Sequence, residues 1–308
     1  MNSFNRREFL KTSALCGAAA FLPLNLAMAQ APRFRFVHFT DLHTQPELGA
    51  TEGVAMAVRK LLSLKPRPDF IIIGGDTVMD ASAVERPRAL LQYNLFAEAM
   101  KPLEMPLHYV VGNHDIYGWA SKNAAQANDP DYGKKMYQEK VVKGPLHTSF
   151  DFGGWHFVLL DSIALLPDHT WRGEIDDAQM QWLKDDLTRT GKARPTILVT
   201  HVPLMTLFTQ YHDGTTNPTS DKMIVRNGKE MRDIFKDYNV KAVLQGHTHV
   251  VEECTYTGTR YITSGAVCGE WWKGPRLGVH PEGFAVFDVE GDKLSWEYVP
   301  YGWKARTV

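Results

Sequence analysis

Cysteine is scarce: Cys16, Cys254 and Cys268 are the three in 308 residues. That number excludes a disulfide framework and a four-cysteine zinc module. Neither sign of charge is in excess, with 34 Lys and Arg against 35 Asp and Glu and a formal charge of −1. A nucleic-acid binder needs a basic face, so this balance removes the case for specific nucleic-acid binding. Internal repeats and low-complexity tracts are missing. Beyond the N-terminal segment no apolar run approaches the roughly 20 residues of a membrane span, so the mature chain is expected to cross no membrane. Hydrophobic residues make up 44% and charged residues 22%, enough for a sizeable core and incompatible with general disorder. The 12 histidines are the informative surplus, several standing beside Asp, Asn and Gly.

The first residues read as an address. Arg6-Arg7-Glu8-Phe9-Leu10-Lys11 precedes an apolar run from Thr12 to Met28, and Ala27-Met28-Ala29 has the small-x-small form of a cleavage site. The pair of arginines resembles a bacterial twin-arginine signal, which implies a 1–29 signal peptide, the twin-arginine export machinery as partner and a periplasmic or secreted product. Removal of 1–29 leaves one domain, 30–308, with a formal charge of −3. Export by that route resembles transport of proteins already folded in the cytoplasm, so Cys254 and Cys268 are expected as free thiols.

Along the mature chain, short apolar runs end in polar loops and alternate with helical patterns. Strands are expected over Phe34–Phe39, Phe70–Ile73, Leu107–Val111, Ser149–Phe152, His156–Leu160, Thr196–Thr200 and Ala242–Gln245. Helices are expected over Val54–Leu64, Ala89–Met100, Asp177–Thr188 and Glu230–Asp237. The C-terminal third is β-rich over Val250–Thr255, Arg260–Thr263, Phe284–Val289 and Lys293–Val299. This is an α/β pattern with sheets buried on both faces. Tyr117–Asp131 and Phe208–Ser220 read as long loops.

The carboxyl ends of these strands carry Asp41 and His43, Asp76, Asn113 and His114, His201, then His247 and His249. Ligands of open α/β sheets bind at that edge. The donors are oxygen and imidazole nitrogen, which suits Fe, Zn or Mn. In an extended segment residues two apart share a side, so Asp41 and His43 reach one ion together. Asp76 is the natural bridge, because one carboxylate can serve two cations about 3.5–4 Å apart. His114 adjoins Asn113 and suits a general acid, with Asp115 orienting its ring.

Asp41-Leu42-His43, Gly75-Asp76, Gly112-Asn113-His114-Asp115, His201 and Gly246-His247-Thr248-His249 stand in the order and rough spacing of the calcineurin-like metallophosphoesterases, which the chain resembles over residues 41–249. The resemblance implies a four-layer αββα sandwich of two mixed β-sheets and a centre of two divalent or trivalent transition-metal ions. It implies Asp41, His43, Asp76 and His249 on one ion, Asp76, Asn113, His201 and His247 on the other, and His114 as catalytic histidine. It further implies a small-molecule phosphoester substrate, mono- or diester, attacked by a hydroxide shared between the ions. The segment from Gly173 through Trp182, Leu183 and Leu187 looks, more loosely, like a helix of the cyclic-nucleotide phosphodiesterase branch. Val202 follows His201 where several branches have a second His, and the tyrosine of purple acid phosphatases is missing after Asp76.

Remaining candidates are weaker. Glu270, Trp271 and Trp272 follow the ligand turn and are read as one wall of the substrate pocket, for a nucleobase or a lipid head group. His212 is a candidate substrate contact. His38 and His108 are read as structural. A phospholipid head-group phosphodiesterase is the rival enzyme, and a non-catalytic metal- or partner-binding protein the rival of another class. Retention of both Asp76 and His114 speaks against the latter.

Overall fold

The computed structural model describes residues 33–120 and 128–306. The expected signal segment and part of the Tyr117–Asp131 loop lie outside the described residues. The strands are β1 (Arg33–Phe39), β2 (Phe70–Ile73), β3 (Leu107–Tyr109), β4 (Thr148–Phe152), β5 (Trp155–Leu159), β6 (Ile163–Leu165), β7 (Trp171–Gly173), β8 (Thr196–Val199), β9 (Val240–Gln245), β10 (Val251–Tyr256), β11 (Thr259–Ser264), β12 (Gly283–Glu290) and β13 (Lys293–Pro300). The longer helices are α1 (Ala50–Leu62), α2 (Arg86–Met100), α3 (Asp177–Thr190), α4 (Phe208–Asp213) and α5 (Gly228–Phe235).

One sheet has the order β13-β12-β1-β2-β3 and the other β10-β11-β9-β8-β5-β4. Both are mixed: β1, β2 and β3 run parallel, as do β5, β8, β9 and β11, while β4, β10, β12 and β13 add antiparallel edges. The strict alternation of Phe34 and Phe36 against Val37 and Phe39 sorts each strand onto two faces. Phe36 lies between the sheets, stacked on Phe70 at 5.2 Å and Phe287 at 4.8 Å and edge-on to Phe157 at 5.4 Å. Phe39, Ile71 and Ile73 face the opposite way and share a core with Val54, Val58 and Leu61 of α1 and Tyr93 and Phe96 of α2. Val158, Leu198 and Val243 of the second sheet pack under Leu183 and Leu187 of α3 and Met231 and Phe235 of α5. The result is helix, sheet, sheet, helix, as expected. Each fully buried side chain of this kind contributes about 1.5–3 kcal/mol.

Several element bounds differ from the expectation. Helix α1 begins at Ala50, because Gly49 at φ 70° turns the chain into it. Helix α2 begins at Arg86, with Pro87 in its first turn, where the missing N–H costs nothing. Residues 208–213 are helical rather than loop, anchored by buried Phe208 and Thr209. The β6–β7 hairpin was not anticipated; strands of three residues have no readable period. Cys254 and Cys268 are free thiols, as expected. Among the described residues no helix is long and apolar enough to cross a membrane.

Candidate metal centre

Parallel strands deliver their carboxyl ends to one edge, and the segments just beyond them meet there. Asp41 N–H donates to Gly75 O at 3.1 Å, His43 N–H to Asp76 O at 3.0 Å, and Gly246 N–H to His201 O at 3.0 Å. These bonds tie the loops after β1, β2, β8 and β9 together. The approach is close enough to require glycine at two points. A Cβ at Gly112 would fall 2.2 Å from both the backbone nitrogen and Oδ1 of Asp76, and one at Gly246 would fall 2.5 Å from Asp41 Oδ2.

Asp41, His43, Asp76, His247 and His249 all have positive φ, between 43° and 70°. This corrects the expectation that Asp41 and His43 share a side through extended alternation. Each non-glycine residue held in this region costs of order 1–3 kcal/mol and persists where its surroundings over-determine it.

Asp76 is the hub. Its Oδ2 lies 3.2 Å from His201 Nε2 and 3.5 Å from His43 Nε2, while Oδ1 accepts the His114 N–H at 2.9 Å. Asp41 lies 3.3 Å from His249 Nε2 and accepts the His247 N–H at 3.0 and 3.1 Å. His43 and His249 face each other with Nε2 atoms 3.1 Å apart. Among the described residues three groups of donor atoms result: His43, His249 and Cys268; His43, Asp76 and His114; and Asp76, His201 and His247.

Carbonyl oxygens accept and never donate, so the ring protons can be assigned. His201 Nδ1–H donates to Gly74 O at 2.9 Å, His249 Nδ1–H to Gly269 O at 2.6 Å, and His114 Nδ1–H to Met79 O at 2.7 Å. Once deprotonated at Nε2, His201 and His249 would present that nitrogen to the centre in a fixed orientation, the arrangement metal-ligating imidazoles use.

The electrostatics of the metal-free site are unbalanced. Burial would raise the Asp76 carboxyl, yet His201 and His114 hold it well below the ordinary range. Burial opposes ionisation of Asp41 as well, and His249 overrides it to leave a value of about 2. Burial pushes His201 down while Asp76 draws it up to about 9. Burial and neighbouring His201 push His247 down to about 4.

Asn113 Oδ1, His247 Nε2 and His43 Nδ1 are buried without a hydrogen-bond partner, and His201 Nε2 has only the Asp76 carboxylate facing it. Orphaned buried acceptors are costly, about 1–3 kcal/mol each. A cation satisfies such a donor set, so the residues present fit a metal.

The remaining candidates separate. Asp115 does not touch the His114 ring: its Oδ1 accepts from Thr77 N–H at 2.9 Å and Thr77 Oγ1–H at 2.6 Å, and its Oδ2 from Gly112 N–H at 2.9 Å. Met79 O orients His114 instead, and Asp115 holds the loops together. Trp272 is no pocket wall. It is 1% exposed, donates Nε1–H to His43 O at 3.0 Å and fills the space left over Gly53 of α1. Trp271 does flank the centre, its ring 4.9 Å from that of His249 and 6.1 Å from that of His43. Glu270 is engaged by Arg276 at 2.6 and 2.8 Å, and Arg276 in turn lies over the Trp271 ring at 5.4 Å. His212 stacks on Phe208 and pairs with Asp213 at 2.8 Å, away from the metal set. His38 bonds Ser264 and His108 stacks on Phe150, both structural as expected.

Sequence reasoning missed Trp171, whose ring stands 5.7 Å from that of His247 on the other flank. Nothing in the three-residue strand that carries it distinguished it beforehand.

Comparison with known proteins fits this geometry. The chain is 27% identical over 248 residues to a 3′,5′-cyclic adenosine monophosphate phosphodiesterase of Haemophilus influenzae, covering 78% of each chain. It is 27% identical to bovine serine/threonine-protein phosphatase CPPED1, covering 82% of this chain and 74% of that one. A dimetal phosphatase from Danio rerio shares the fold with a TM-score of 0.64 at 16% identity, over 88% of this chain and 97% of that one. Residues 34–251 match the calcineurin-like phosphoesterase family. The chain belongs to that family and is a metal-dependent phosphoester hydrolase.

Proposed function

We propose that the chain is an exported hydrolase of phosphodiesters or phosphomonoesters, nucleotides among them, working with two ions of Fe, Zn or Mn that share Asp76. The observation that carries this reading is Asp76, whose Oδ2 lies 3.5 Å from His43 Nε2 and 3.2 Å from His201 Nε2, and which belongs to two of the three donor groups, one with His43 and His114 and one with His201 and His247. Asp41, His43, Asp76 and His249 would hold one ion; Asp76, Asn113, His201 and His247 would hold the other. Bound ions supply charge stabilisation and a nucleophile at neutral pH.

The chain's own residues do the rest. His201 and His249 are held in one ring orientation by Gly74 O and Gly269 O. His114, held at Nδ1 by Met79 O, keeps Nε2 for the proton that the departing alkoxide needs. Its ring stands 4.7 Å from that of His43, beside the donor cluster. The names of the similar enzymes, a cyclic-nucleotide phosphodiesterase and a protein phosphatase, support a diester or monoester substrate. Export rests on Arg6-Arg7 and the apolar run after them.

The test is a panel of p-nitrophenyl phosphate, its bis-ester and 2′,3′- and 3′,5′-cyclic nucleotides, run on protein of measured metal content. Hydrolysis should vanish with a chelator and return with Mn²⁺ or Zn²⁺; full activity in metal-free protein refutes the reading. Replacing Arg6 and Arg7 with lysine should retain the protein in the cytoplasm of the expressing cell. Secretion of that variant overturns the twin-arginine route. A second reading, a phospholipid head-group phosphodiesterase, draws support from an apolar cleft of about 390 Å³ lined by Leu207, Phe208, Tyr211, Leu277 and Val279. Phe208 there packs on Arg276, which covers Trp271. A phosphocholine ester in the same panel separates the two.

A further inference from the structure

A second, smaller cleft of about 220 Å³ opens directly onto Asn113. Its lining comes from the segment after β3, with Trp119, and from the β6–β7 hairpin, with Thr170 and Trp171, and includes Lys222. Trp119 Nε1–H donates to Thr170 O at 2.8 Å, so the two walls are fastened to each other. The Trp119 ring is further packed against Tyr132 at 5.2 Å and His169 at 5.7 Å. Trp171 in turn stands edge-on to His247. The cleft therefore has indole walls and includes one residue of the donor set, Asn113, and Lys222. No carboxylate lines it among the described residues.

That combination selects for chemistry. Indole faces bind flat π-systems, and base–aromatic stacking is worth on the order of tenfold or more in affinity. Lys222 adds a positive charge beside the cleft, shared with the Asp168 carboxylate. The location beside Asn113 means that a group in the cleft is continuous with a phosphoryl group at the donor cluster. On the opposite flank, Arg276 covers a face of Trp271.

We propose that the Trp119–Trp171 cleft is the specificity subsite of the enzyme and takes a flat aromatic arm of its phosphoester. This rests on the phosphoesterase reading and adds to it which arm is recognised and by which residues. The shared chemistry is a planar π-system, from a nucleobase or from a simple aryl ester.

Calorimetric binding to the metal-loaded protein tests it with inhibitors that are not turned over. Phenylphosphonate and cyclohexylphosphonate carry the same head group on rings of similar size, one flat and one puckered. Methylphosphonate reports the head group alone, and the phosphonate analogue of adenosine 5′-monophosphate, with a methylene in place of the ester oxygen, reports a nucleobase. Phenylphosphonate should bind about tenfold more tightly than cyclohexylphosphonate. Trp171→Leu should bring that ratio close to one, and Trp171→Phe should restore most of it. A retained ratio in Trp171→Leu, or a ratio near one in the unaltered protein, overturns the subsite. If the adenosine phosphonate gains more than phenylphosphonate over methylphosphonate, the arm is a nucleobase; the reverse identifies an aryl group. Binding of methylphosphonate without any aromatic gain sinks the subsite and leaves the phosphoesterase reading standing. Absence of binding by all four, together with absent hydrolysis, sinks the phosphoesterase reading itself.

Discussion

Asp76→Asn tests the shared ligand most directly. The substitution keeps the size of the side chain, which matters because the Gly112 backbone leaves no room for a larger one. It also keeps an oxygen for the His114 N–H, so the loop after β3 retains its anchor. What is lost is the negative oxygen between His43 and His201. An ion present at 100 times its dissociation constant stabilises the folded chain by about 2.7 kcal/mol, which for a domain of this size raises the melting temperature by about 5–10 °C. A hundredfold loss of affinity, the scale of ligand-shell changes, leaves about 0.4 kcal/mol and a shift of roughly 1–2 °C. Thermal denaturation with and without Mn²⁺ reads this difference, and elemental analysis counts the ions. The metal-free protein offers a second readout. Burial pushes His201 down and Asp76 raises it to about 9, so its contribution is fully present below pH 6.5 and fades as pH rises through 9. Asp76→Asn should flatten that slope. If the variant still holds two ions and shows the full melting shift, Asp76 is not shared and the reasoning fails.

Three further outcomes are expected. His114→Ala should lower the hydrolysis rate by about 10²–10⁴-fold at unchanged metal content; loss of metal would make His114 a ligand instead. Gly112→Ala drives a Cβ into the Asp76 backbone, so metal affinity and activity should fall together, with a melting curve that no longer responds to Mn²⁺; a normal response would show that the loop can yield. His156 lies between Asp151 at 2.7 Å and Asp186 at 2.8 Å. Burial lowers it, but the two carboxylates win and raise it. Its stabilising contribution is present below the unfolded value of about 6.5 and is lost as pH rises above it. Urea melts of His156→Gln should therefore lose part of the decline in stability between pH 6 and 9, and an unchanged decline would refute the assignment.

Much of the fold was legible because buried strands and amphipathic helices leave local patterns. Phe34–Phe39 alternates, Phe70–Ile73 is a continuous apolar run, and Leu183 and Leu187 sit four residues apart on one helix face. The donor residues were legible for a related reason: each follows directly on such a run. Their conformations were not. Asp41 and His43 converge through left-handed backbone, stabilised by bonds to Gly75 and Asp76 that are distant in the chain. Trp271 and Trp272 look equivalent in sequence, but positive φ at both sends one ring to His249 and the other under His43 into the α1 core. Asp115 looked like the partner of its neighbour His114, and the carbonyl of Met79, 35 residues away, has that role.

Local order along the chain determined which residues are apolar, which elements they form and which donors stand at the strand ends. Those properties depend on side-chain type and period, and both are written in neighbouring residues. Tertiary structure alone decided that His43 and His249 meet at 3.1 Å, that Met79 aims His114, and that Trp171 rather than Trp272 borders the open cleft. These outcomes depend on loops from different strands bonding to one another in strained backbone, and no single segment contains that information.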